Sequence, residues 1–179
     1  MKEIALHIQD IAENSVRAGA GLLVIEIREE TRADLVTVVI EDDGHGMDDD
    51  TVRKALNPFF TTKTVRRIGM GLSMFKQAAL QADGRFDVDS APGRGTRVEA
   101  SFRLTHMDRQ PLGNMAATIV ALLMSNPDMD ILYRHVRDED VFVFDTRVIR
   151  QTLEDVPISE PGVLQFVREL ISARQNLDE

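Results

Sequence analysis

Cysteine is absent from the 179 residues, so no disulfide framework, thiol nucleophile or cysteine-ligated zinc can form. Long apolar runs are missing as well. The longest, Ala116 to Met124, has nine residues with Thr118 among them and is too short to cross a bilayer. The N-terminus carries Glu3 and Asp10 and lacks the layout of a signal peptide. Positive charge is scarce: 21 Lys and Arg stand against 30 Asp and Glu, a net charge of −9. That balance argues against nucleic acid or an anionic membrane as the main partner. What remains is 43% hydrophobic and 28% charged, the composition of a soluble globular protein with a real core. The length suits one domain, or one with a small appendage. The expected setting is the cytoplasm.

The charge is unevenly spread. Residues 1–104 hold 17 acids and 14 bases, whereas residues 105–179 hold 13 acids and 7 bases, with arginine but no lysine. From Ala55 to Ala82 there is no acid, only Lys63, Arg66, Arg67 and Lys76. A cationic window in so acidic a chain suggests an anionic ligand, although a lull on a surface helix and loop gives the same pattern.

Apolar spacing predicts a helix over residues 2–18, from Ile4, Ile8, Ile11, Ala12, Ser15 and Val16, with Gly19 placed to end it. Leu22 to Ile27 and Leu35 to Ile40 are β-branched-rich runs of strand length. A loop at Asp42 to Gly46 precedes a short helix at Asp49 to Leu56, an irregular stretch at Asn57 to Ile68, and a helix at Gly69 to Ala82. Phe86 to Ser90 and Thr96 to Leu104 read as strands joined by a Pro92-Gly93 turn. Beyond Thr105 the pattern predicts a helix from Pro111 to Met124, strands at Ile131 to Val136 and Val141 to Phe144, and helices near Thr146 to Leu153 and Gly162 to Arg174. This order is not the βαβα alternation of a doubly wound sheet. It predicts an α+β protein: a two-layer α/β sandwich with helices on one face of a mixed, mostly antiparallel sheet, plus a small C-terminal α/β extension. The expected division is 1–104 and 105–179.

Four spaced motifs carry chemistry. Asp10 and Asn14 lie four residues apart on one helical face. A carboxylate and an amide oxygen together suit a divalent cation with its waters, though alone they also describe a solvated stripe. Asp42-Asp43-Gly44-His45-Gly46 ends an otherwise apolar strand. A carboxylate there can accept from a ligand amine while the glycines allow close backbone approach; an acidic turn is the plainer alternative. Gly69-Met70-Gly71-Leu72 opens a helix whose free N–H groups favour phosphate, with Lys63, Arg66 and Arg67 just before it. Gly93-Arg94-Gly95-Thr96 is a tight turn into a strand.

In order, Asp10-x-x-x-Asn14, Asp42-x-Gly44-x-Gly46, Asn57-Pro-Phe-Phe-Thr-Thr-Lys63, Gly69-x-Gly71-Leu72 and Gly93-x-Gly95-Thr96 resemble the GHKL superfamily of ATP-binding domains. That group holds gyrase B subunits, ninety-kilodalton heat-shock chaperones, sensor histidine kinases and mismatch-repair ATPases. The match spans residues 7–104. The run from Pro58 to Leu72 is most similar to the histidine kinase branch, and Glu13-Asn14-Ser15 with Ala18-Gly19-Ala20 to the mismatch-repair branch. The resemblance implies ATP and magnesium as cofactors. Asn14 would bind the metal and Asp42 the adenine amine, with Gly44, Gly46, Met47 and Thr96 around the base. Lys63, Gly69, Gly71 and Leu72 would be on the phosphate side. Asn57 to Ile68 would be a short lid, with Phe59 and Phe60 as anchors or plain packing.

Two departures qualify the carry-over. Hydrolysing branches place a glutamate general base four residues before the metal asparagine, where this chain has Asp10, one methylene shorter. General-base work needs that carboxylate within hydrogen-bond reach or one water away. The nine residues before Asp10 also leave no room here for a phospho-accepting helical hairpin, and His7 lacks the neighbours of an acceptor. The resulting expectation is a stand-alone nucleotide-dependent regulator of a protein partner. The alternatives are an ATPase or protein serine kinase, with Asp10 as catalytic residue, and a scaffold that has lost nucleotide. A homodimer fits either of the first two.

Overall fold

The computed structural model describes residues 3–57 and 70–175. Isoleucines at i, i+4 and i+7 form the inner stripe of α1 (Ile4–Arg17), and Ile4, Ile8 and Ile11 are all buried. Two alternating runs follow as an antiparallel hairpin, β1 (Leu22–Glu30) and β2 (Leu35–Asp42). Leu23, Ile25 and Ile27 on one strand and Val36, Val38 and Ile40 on the other face the helices, as a period of two requires. Next come α2 (Asp49–Ala55), capped by Asp48 accepting from Thr51 N at 2.7 Å, and α3 (Met70–Gln81). A second hairpin, β3 (Phe86–Ser90) and β4 (Thr96–Arg103), pairs through β4 with β2.

The C-terminal stretch supplies α4 (Met115–Ser125), β5 (Asp130–Arg137), β6 (Asp140–Asp145), α5 (Thr146–Leu153) and α6 (Pro161–Gln175). Strand β5 lies parallel to β1, in register from Leu22–Asp130 to Glu29–Arg137, and β6 pairs antiparallel with β5. The sheet therefore has six strands in the order β3-β4-β2-β1-β5-β6. It is mixed and mostly antiparallel, with the helices on one face, as the element order predicts. Its other face carries ionic side chains such as Glu26, which accepts from Arg134 at 2.8 Å. Among the described residues no helix is long and apolar enough to cross a membrane.

The core runs between the layers. Phe75 of α3 is fully buried, stacked on His7 at 5.1 Å and tilted against Phe102 at 5.7 Å between ring centroids. His7 is thus a core residue, bonded through Nε2 to Gln110 Oε1 at 2.9 Å, and its burial pushes the imidazole below its ordinary pKa.

One expectation is corrected. The helix predicted from Pro111 begins at Met115, with Asn114 as its cap accepting from Ala117 N at 2.8 Å. Gly113 sits at φ +79°, off the helical path, and a Cβ there would fall 2.4 Å from Glu3 Oε2. Pro111 and Leu112 instead lend their carbonyls to the N–H groups of Ile4 and Ala5, at 2.9 and 2.8 Å. They satisfy donors that the first turn of α1 cannot satisfy itself.

Candidate functional site

Asp42 is the last residue of β2, in register with Leu23 of β1 and Thr96 of β4. The strand alternation turns its side chain toward the helices, where it is 9% exposed. A carboxylate buried there needs partners. Ser15 Oγ donates to Oδ2 at 2.6 Å and Gly44 N to Oδ1 at 2.9 Å. Each oxygen keeps one further acceptor position, so the group is fixed in place yet able to take N–H donors from a ligand. The neighbouring Asp43 does different work, accepting from Gly21 N and Leu22 N at 2.8 and 2.9 Å to tie down the start of β1.

Asp42 opens into a cavity of about 160 Å³. Ile11, Leu72, Val98 and Met47 give it apolar walls, and Asn14, Thr96 and Gly46 reach it from α1, β4 and the loop after β2. Gly46 sits at φ +69°, and a Cβ there would fall 2.0 Å from the Ala91 carbonyl oxygen, so the β3–β4 turn excludes any side chain at that position. Ser90 locks this rim. It accepts from Met47 N at 2.8 Å, donates to Gly95 O at 2.9 Å, and meets Thr96 Oγ1 at 3.0 Å.

Of the residues singled out from sequence, Asn14, Asp42, Gly46, Met47, Leu72 and Thr96 share this cavity. Gly44 adjoins it through its bond to Asp42. Asp10 and Gly71 meet one turn away, where a Cβ on Gly71 would stand 3.2 Å from that of Asp10. Lys63, Gly69, Phe59, Phe60, Arg66 and Arg67 lie outside the described residues. Ser15, Ser90 and Thr51 were not singled out. Ser15 sits directly after Asn14 in a quoted motif, whereas Ser90 carries no sequence signal.

Asp10 is half-buried, and its carboxyl is raised above the ordinary aspartate value, first by burial and then by the charge of Glu13, against the pull of Arg17. Asn14 Oδ1 accepts from Arg17 Nη2. The oxygens of Asp10 and Asn14 are hard donors of the kind magnesium takes. Among the described residues no three His, Cys, Asp or Glu side chains cluster to hold a metal. A cation here would therefore draw its other ligands from water and an anionic ligand. An apolar slot with one fixed acceptor at its base suits a flat ring with an exocyclic amine, and the adjoining oxygens suit a cation-bridged anion.

Comparison with known proteins agrees with this chemistry. Residues 2–106 match the family described as histidine kinase-, DNA gyrase B-, and HSP90-like ATPase. The chain is 28% identical over 116 residues to the non-motile and phage-resistance protein of Caulobacter vibrioides, covering 62% of this chain and 14% of that protein. It is 28% identical over 111 residues to the sensor histidine kinase YxdK of Bacillus subtilis, covering 59% and 34%. The chain thus spans about one-seventh and one-third of these two relatives. A crystal structure of the N-terminal domain of a DNA repair protein superposes with a TM-score of 0.57 at 14% identity, covering 80% of this chain and 52% of that one, a likeness of fold.

Proposed function

The chain belongs to the histidine kinase-, DNA gyrase B-, and HSP90-like ATPase family, and from that premise we propose that it binds magnesium-ATP at Asp42 to regulate a protein partner. The observation that carries this reading is the buried Asp42 carboxylate, set by Ser15 and Gly44 with acceptor positions to spare at the base of an apolar cavity. Asp42 takes the adenine amine, Met47 and Leu72 flank the ring, and Thr96 braces the same side. Gly44 and Gly46 shape the loop beside the base. Asn14, whose Oδ1 accepts from Arg17, would hold the metal through that oxygen. Magnesium, when bound, screens the phosphate charge and fixes the phosphate geometry. Gly71 lets the start of α3 approach Asp10, and by the family resemblance Lys63 and Gly69 would serve the phosphate side. Residues 105–179, which share the sheet with β1 and cover α1, form the segment presented to the partner or to a second copy.

A second reading is favoured by one observation. Asp10 is held above its ordinary pKa by burial beside the start of α3, and a raised carboxyl is the better proton acceptor. It would take the proton from water or from a partner's serine hydroxyl as that oxygen bonds to the γ-phosphorus and the bond to the β-phosphate oxygen breaks, releasing ADP.

The test is γ-phosphate-labelled ATP with magnesium, comparing the native chain with Asp10→Asn and Asp42→Asn. Asp42→Asn is expected to weaken nucleotide binding at least tenfold. Steady phosphate release that Asp10→Asn abolishes makes Asp10 the base. Retained, intact ATP makes the chain a nucleotide-gated binder. Equal binding by the native chain and Asp42→Asn overturns the assignment of the site.

A further inference from the structure

At the opposite end of the strands from Asp42 lies a second cleft, about 490 Å³ in volume. Its floor is an ionic pair from neighbouring strands: buried His135 of β5, 1% exposed, with Nε2 2.8 Å from Oε1 of half-buried Glu29 of β1. The hydrogen bond from His135 holds the Glu29 carboxyl below the ordinary glutamate range, so it faces the cleft as an anion. Arg109 comes from the segment before α4. Its Nε donates to Leu104 O at 2.7 Å and Nη1 to Gln110 O at 3.4 Å, which orients the guanidinium. No carboxylate among the described residues lies within ion-pairing distance of it. The Glu3 side chain, at the mouth, makes no hydrogen bond or ion pair among the described residues. Pro111 and Leu112 supply accessible apolar wall, with Ile4, Ile27 and Val36 buried behind it.

We propose that this cleft binds a small zwitterion of the amino-acid type with an aliphatic side chain. Charge selects the class. A wholly anionic ligand meets two carboxylates, and a wholly cationic one meets a guanidinium already fixed by two carbonyls. A ligand with both signs satisfies the fork of Arg109 with its carboxylate and Glu3 and Glu29 with its ammonium, and its side chain covers the apolar wall. The volume falls in the range of small-molecule sites. Six separate segments build the cleft, α6 contributing Ser172 and Gln175, and none of its groups takes part in the nucleotide site.

The test titrates the full chain with valine, leucine, isoleucine and methionine, followed by calorimetry and by amide shifts at Ile27, Glu29, Val36 and Leu112. Leucinamide lacks the carboxylate, and N-acetyl-leucine lacks the ammonium. At least one free amino acid is expected to bind tenfold or more tightly than both blocked forms, and Arg109→Gln is expected to cost it a further tenfold or more. Glu3→Gln keeps the size of a side chain that has no partner among the described residues, and is expected to weaken the free amino acid selectively over N-acetyl-leucine. Melting curves report folding of each variant independently of any nucleotide. Blocked forms binding as tightly as free ones, unchanged affinity in Glu3→Gln, or no binding at millimolar concentration overturns the proposal.

Discussion

Helix α1 has a cleft at each end, and the two are built on opposite principles. At its C-terminal end the cavity by Asp42 is small and apolar, and its single buried charge is already held by two donors. At its N-terminal end the cleft is larger and carries Glu3, Glu29, Arg109 and His135 together, with charges of both signs facing one space. A flat, largely neutral ring needs one fixed acceptor and dispersion contacts on its faces. A small charged molecule needs charged groups of the protein turned toward it. The sheet and α1 are common to both clefts, so the difference lies in the side chains that the strand ends, the start of α1 and the segment before α4 present.

Four substitutions break or sharpen that contrast. Phe75→Ala is the largest, expected to cost about 3–5 kcal/mol in urea unfolding through the cavity it leaves, and to loosen both ends, since Phe75 stacks on His7 and packs on Phe102. Glu29→Gln strikes one end, expected to cost about 2 kcal/mol by weakening the bond to buried His135, with nucleotide binding unchanged. Its pH dependence follows from the depressed carboxyl of Glu29. The stability it lends is present above the ordinary glutamate range and disappears as pH falls through the lower folded value. Glu29→Gln removes that contribution, seen in melting curves across the acid range. Ser15→Ala strikes the other end, costing about 1.5 kcal/mol as Asp42 loses a donor and weakening ATP binding severalfold by calorimetry.

Asp10→Asn has the smallest effect on stability and the opposite sign. The Asp10 carboxyl is raised in the folded chain, mainly by burial. The folded state therefore binds the proton more tightly than the unfolded one, and the ionised group opposes folding once pH rises above the folded value. Asparagine removes that charge, so the variant melts slightly higher at neutral pH, by about 0.5 kcal/mol or less for a half-exposed group. The gain vanishes below the ordinary aspartate range. A lower melting point at neutral pH would show that the Asp10 charge supports the fold.

Most elements were legible because each is written in local periodicity. The isoleucines of α1 and the β-branched runs of β1 and β2 recur at spacings that only one kind of structure can bury. Half of the cavity by Asp42 was legible too, since glycines and carboxylates at strand and helix ends keep fixed spacings. What sequence did not reveal depends on partners distant in the chain. Nothing near Asp42 and Asp43 says that Ser15 claims the first while Gly21 and Leu22 claim the second. The early start predicted for α4 followed good helix formers at 115–124 and could not register that Ile4 and Ala5 take the Pro111 and Leu112 carbonyls. The far cleft was invisible because its charged groups stand at positions 3, 29, 109 and 135: the parallel pairing of β1 with β5 brings Glu29 to His135, and the bonds of Pro111 and Leu112 to the start of α1 bring the segment of Arg109 to Glu3.

That pairing also sets the order in which the chain can acquire its shape. The β1–β2 and β3–β4 hairpins join neighbours in sequence and can zip as soon as they exist, but the second edge of β1 waits for a strand that begins at Asp130. Until then a nascent chain leaving the ribosome displays an unpaired apolar strand edge, the feature that most readily recruits other chains. The first turn of α1 waits as well, for carbonyls at 111 and 112. Such distant closures slow folding, so the residues from Asp130 onward act as the clasp, and the interval before they arrive is when this protein is most exposed to misassembly.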